Sequence, residues 1–153
     1  MGAVYFYHLT RSPLETTLAM LVEKSRQAGW RVLVRGTLPE RMTWLNDALW
    51  QRAPDSFLPH GLAGGEFDVQ QPVLLTSAPG NANAAQCVMS VDGGEIEIAE
   101  VSGLERACVI FDGNDAASLD RAREQWKTLT AGGCTAQYWS QQDGKWALKV
   151  QSD

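Results

Sequence analysis

Residues 107–113, ACVIFDG, are nearly all apolar and too few to make a helix of ordinary length. A strand with one wet face alternates apolar and polar side chains; this run has no polar face to offer. It must be covered on both sides, which places it in a sheet lying between helices. AVYFYHL (3–9), WRVLVRG (30–36), PVLLTS (72–77) and QCVMSVD (86–92) are strands of the same apolar kind.

Helical spacing fills the gaps between them. Leu14, Leu18, Leu21, Val22 and Ser25 recur on one face over 14–28, with Pro13 at the first helical position behind Ser12 and Gly29 at the end. A second helix is expected from Pro39 to Gln51, capped by Thr37, with Met42, Leu45, Ala48 and Leu49 on its inner face and Pro54 as its stop. Asn114 or Asp115 opens a third over 116–131, closed by Gly132-Gly133. CTAQYWSQQDGKWALKV (134–150) reads as a hairpin turning near Asp143-Gly144. Strand and helix alternate, so the expected architecture is α/β: three layers, α/β/α, with a mostly parallel sheet and a C-terminal hairpin. With 153 residues and 44% hydrophobic content, residues 1–153 are expected to form one domain.

Eighteen acidic residues against thirteen basic ones give a formal charge of -5. Binding DNA by general electrostatic attraction needs clustered cations, and that balance opposes it. MGAVYFYHLT carries neither a basic head nor a long apolar run, so no export signal is read, and no stretch is apolar enough to span a membrane. Cys87, Cys108 and Cys134 are odd in number and far apart, which suits buried thiols in a reducing cytoplasm better than a metal site.

Folds of this class often hold nucleotides beyond the carboxyl ends of their strands. The chain contains neither GxxxxGK[ST] nor GxGxxG, so no cofactor is implied, and a nucleotide-dependent enzyme working in the strand-end cleft is the rival reading. His8 and His60 suit packing and loop ordering, and no G-x-S-x-G elbow is present; no catalytic residue is assigned. Glu95, Glu97 and Glu100 alternate with Ile96 and Ile98 as a solvent-facing strand edge would, so no metal site is assigned there.

The helix ASLDRAREQWKTLTAGG is more informative. Leu119, Ala122, Trp126 and Leu129 share its inner face, and Arg123 and Lys127 stand beside that stripe. Like charges four residues apart cost a helix about 0.2–0.5 kcal/mol, which Asp120 and Glu124 can offset. Two readings remain: a solvated mixed face, or a small anion site in which two cations border a large aromatic. An acidic peptide with an aromatic end would suit the second.

LNDALWQRAPDSFLPHGLAG (45–64) closely resembles the signature of the chi subunit of bacterial DNA polymerase III: a Leu-x-x-Ala-Leu-Trp helix end, then Ser-Phe-x-Pro-His. VYFYHL, GWRVLV and AREQWK (122–127) extend the similarity in the expected order over most of the chain. The resemblance implies a non-catalytic clamp-loader accessory protein with a nucleotide-binding-like layout but no nucleotide motif. Implied partners are the psi subunit and the acidic C-terminal tail of single-stranded DNA-binding protein, which ends in Pro-Phe; nucleic acid is met only indirectly. Trp50 and Phe57 match the aromatics that face psi or a competing helicase, and Arg123, Trp126 and Lys127 match the tail-binding positions. Trp126 replaces a Tyr, and Gln125 and Thr130 stand where better-known relatives are basic. A second rival is direct binding of single-stranded DNA on the tryptophans, which the net negative charge opposes.

Overall fold

The computed structural model describes residues 3–10, 13–51, 61–64, 68–78, 80–142 and 145–151, the Trp50 and Gln142 side chains excepted. Its eight strands are β1 (Ala3–Leu9), β2 (Val32–Arg35), β3 (Gly61–Leu62), β4 (Val73–Thr76), β5 (Cys87–Ser90), β6 (Arg106–Asp112), β7 (Thr135–Gln142) and β8 (Lys145–Gln151). They form one sheet in the order β3-β4-β2-β5-β6-β1-β7-β8. Every neighbouring pair is parallel except β7–β8, which pair antiparallel as a hairpin.

Four helices cover the two faces: α1 (Leu14–Gln27), α2 (Pro39–Trp50), α3 (Ile98–Val101) and α4 (Ala116–Ala131). Successive strand residues point to opposite faces, so Tyr7 and Leu9 pack with Leu18 and Val22 of α1 and Leu45 of α2. Val4 and Phe6 pack on the other face with Val101 of α3 and with Ala122 and Leu129 of α4. The architecture is therefore the α/β sandwich with a mostly parallel sheet that the apolar strands imply. α1 ends where Gly29 takes φ 86°, and Gly133 at φ 92° follows α4; both backbones are left-handed, which glycine adopts without strain.

Several local expectations change. Pro13 is the residue before α1, not its first helical residue, and Leu38, not Thr37, precedes α2. The Thr37 hydroxyl is used elsewhere, donating to the Asp92 carbonyl at 3.1 Å. Gly61–Leu62 adds a short edge strand that no apolar run announces. Cys87 and Cys108 are buried, whereas Cys134 is partly exposed. β8 is wet, with Leu148 43% and Val150 51% exposed, as an outermost strand covered on one side can be.

The GEIEIAE segment is not a strand edge. Glu97 caps α3, and its partner in a reciprocal capping box is Glu100, which accepts from the Glu97 backbone N–H at 2.9 Å. The alternation breaks at Ile98, which is 41% exposed while Ile96 is buried. Glu100 is instead drawn inward by Arg35, whose guanidinium reaches both of its carboxylate oxygens at 2.9 and 3.0 Å. A buried guanidinium needs a carboxylate, which accounts for the inward turn of Glu100.

Candidate functional site

α4 begins at Asp115, whose carboxylate accepts from the Ser118 backbone N–H at 3.2 Å and its hydroxyl at 2.6 Å. Its inner side is fixed at three buried positions, Ala122, Gln125 and Leu129. The Gln125 amide donates to the Gly94 carbonyl at 3.0 Å, pinning the helix to the turn after β5. Gln125 therefore faces inward, and a basic residue there would have to bury its charge.

Trp126 lies half-buried at the border of this stripe. Its indole meets the Phe6 ring edge-on at 5.3 Å and the Tyr138 ring at 6.1 Å. The parallel register sets Phe6 beside Tyr138 and His8 beside Phe111, so rings from β1, β6 and β7 gather under one helix. Tyr138 hydroxyl and His8 Nδ1 are hydrogen-bonded at 2.7 Å, and the His8 ring lies 5.1 Å from Phe111. Gly113 leaves room for this arrangement, because a Cβ there would run into the His8 imidazole.

Arg123 and Lys127 are exposed on the outer side of the same helix, one turn apart. Arg123 lies 3.9 Å from Asp120, and both side chains are more than three-fifths exposed, so that pair contributes well under 1 kcal/mol and leaves the cation available. Its charge is felt by the rings beneath. Burial pushes the His8 pKa down, the Asp112 carboxylate pulls it back up, and Arg123 adds to the lowering. Burial raises the Tyr138 pKa, and Arg123 opposes that. The structure thus places Trp126 in a cluster of rings, with Arg123 and Lys127 on the exposed side of the same helix. Trp50's side chain and Phe57 lie outside the described residues.

The larger hollows are elsewhere. One of about 450 Å³ sits where the loops after β1 and β6 leave for opposite faces, between Arg41, Asp92, Asp112 and Arg121. Another of about 580 Å³ lies at the equivalent divergence of β2 and β5, beside Arg35 and Glu100. These are the places where α/β sheets carry ligands. Each holds one ion pair: Arg41 with Asp92 at 3.1 Å in the first, Arg35 with Glu100 at 2.9 Å in the second. Neither lining contains a lysine, and neither includes Arg123, Trp126 or Lys127. Among the described residues, no group of three or more His, Cys, Asp or Glu is placed to hold a metal ion, and no helix is long and apolar enough to cross a membrane.

His8, Phe111 and Tyr138 belong to the site, though sequence reasoning assigned them no part in it. Only His8 had a signal, as a packed and hydrogen-bonded strand-end residue. Tyr138 comes from a strand that approaches β1 only after pairing, so nothing local marks it.

A family model described as DNA polymerase III chi subunit, HolC, matches residues 1–137. No curated protein matches the chain. The family match runs from β1 through α4 and into β7, so it spans every element that builds the ring cluster except the end of β7. The chain belongs to the chi subunit family of DNA polymerase III.

Proposed function

We propose that this chain is the accessory subunit that links the polymerase III clamp loader to single-stranded DNA-binding protein, by taking the acidic C-terminal tail of that protein on α4. It works without catalysis, in the cytoplasm, and reaches the coated template strand through its partner. Trp50 and Phe57 supply the contact to a psi subunit or to a competing helicase.

The observation that supports the tail site is a half-buried indole, backed by Phe6 and Tyr138, with exposed cations on the same helix. Tail carboxylates pair with Arg123 and Lys127 while the terminal phenylalanine ring lies against Trp126 and Tyr138. Fixed rings lose little freedom on contact, and charge-assisted bonds set the direction of the peptide. A contact of this size suits micromolar affinity, about 8 kcal/mol. Added salt weakens it, because exposed charges are screened over about a Debye length.

The test is a titration of a labelled acidic tail peptide against the wild type and an Arg123→Ala/Lys127→Ala variant. Both side chains are exposed, so the variant should melt with the wild type while its affinity falls at least tenfold. Equal affinities would remove the site.

A further inference from the structure

On the face of the sheet opposite α4, helix α1 runs beside the β7–β8 hairpin, and a hollow of about 290 Å³ remains between them. Half of the chain's six tryptophans line it: Trp30, Trp139 and Trp146, each half-buried. The rings are held in place. Trp146 meets Tyr7 edge-on at 5.4 Å and 87°, and the Trp139 indole N–H donates to Gln137 at 3.0 Å. The Arg106 guanidinium lies 4.2 Å from the centre of the Tyr5 ring and 5.2 Å from that of Trp30. Such a cation stiffens the aromatic wall and keeps a positive charge at the site.

The sign of the lining contrasts with the rest of the molecule. A chain of net charge -5 places Lys24 and Arg106 around this hollow and, among the described residues, no carboxylate. Two of the polar groups inside are already used: Ser25 donates to the Leu21 carbonyl at 2.9 Å, and the Trp139 N–H is bonded as described. The lining side chains described include no carboxylate or carboxamide to accept from a peptide's own N–H groups, which cost free energy when left unpaired. What the hollow offers is ring faces and positive charge, with little hydrogen-bond readout. That combination recognises a flat ring carried on an anionic backbone.

We propose that this hollow stacks one unpaired base of a single-stranded nucleic acid, with Lys24 and Arg106 neutralising an adjoining phosphate. Two cations, one of them already shared between two rings, suit the single charge of a phosphodiester. A free nucleoside triphosphate would call for a denser set of donors. The inference does not depend on the tail site, which is on the other face.

The experiment is an anisotropy titration of a labelled oligothymidylate of about 15 nucleotides at low salt, followed by salt addition. The wild type should bind with an affinity that falls as salt rises. Trp146→Ala should weaken binding roughly five- to hundredfold. Because Trp146 also packs on Tyr7, Lys24→Glu supplies a surface variant, expected to lose at least fivefold without a change in melting temperature. Arg123→Ala/Lys127→Ala should bind the oligonucleotide as the wild type does, so failure of the tail site leaves this result intact. Absence of oligonucleotide binding at low salt would overturn the proposal, as would equal affinity for Lys24→Glu. It is also overturned if thymidine monophosphate competes as well as the oligomer, or if an acidic peptide binds this hollow instead.

Discussion

Arg35 is a charged residue at the end of an otherwise apolar strand, with its side chain 8% exposed. Besides Glu100 it reaches the carbonyls of Glu95 and Gly80, at 2.8 and 2.9 Å. One cation thereby ties β2 to the loop after β4 and to the segment before α3. Its Nε has no hydrogen-bond partner among the described residues, and the only carboxylate shown meeting the buried charge is that of Glu100. Glu100→Ala should cost about 3 kcal/mol in urea denaturation, the usual range for stranding one member of a buried pair. Replacing both partners with apolar residues, Arg35→Met/Glu100→Leu, should recover part of that loss, because no charge is then left without its partner. A double variant less stable than Glu100→Ala alone would show that the carbonyl contacts matter more than the pair.

At the scale of the element, α4 divides its labour by face. Ala122 and Leu129 pack on the sheet, Gln125 fastens the helix to Gly94, and the charge of the exposed Arg123 acts on His8 and Tyr138. The helix and the His8–Tyr138 pair are therefore electrostatically linked. His8 is held below its ordinary pKa, so over the interval between its folded value and about 6.5 the unfolded chain binds more protons than the native one. Its contribution to stability is complete above that interval and is lost as pH falls through the folded pKa. Removing Arg123 removes one cause of the lowering. Arg123→Ala should move the His8 titration upward, read from its imidazole resonance by NMR, and should flatten the fall in melting temperature on acidification. With only two histidines in the chain the assignment is direct. An unmoved His8 titration would show that the Arg123 charge does not act on the imidazole.

For the molecule as a whole, the sheet closes on one side with a hairpin whose second strand lies beyond the family match, which ends at residue 137. β8 covers the edge of β7 and brings Trp146 onto Tyr7. Ending the chain after residue 142 would bare a row of unpaired backbone groups and part of an aromatic wall. Such a variant should melt at lower temperature and associate in sedimentation measurements, whereas the α4 ring cluster should remain. Unchanged melting and a monodisperse species would mean that β8 adds no stability. The hairpin and α4 also set the two proposed surfaces on opposite faces of one sheet, so each can be altered without touching the other.

The sequence by itself determined the elements whose reasons are local. β1 is written in AVYFYHL and α4 in its spacing, its Asp115 cap and its closing glycines, because period, cap and breaker act within a few residues. It also put Arg123 and Lys127 beside Trp126, a relation fixed by helical geometry alone. Tertiary structure decided the rest. His8 and Tyr138 are 130 residues apart, and only the parallel register of β1 with β7 makes them partners. Glu100 turns inward from the short helix that replaces the expected strand edge because a guanidinium on a distant strand had to be satisfied. Strand order, the ring cluster and the tryptophan-lined hollow are consequences of which surfaces meet. No local period records them, since burial is a property of the assembled sheet.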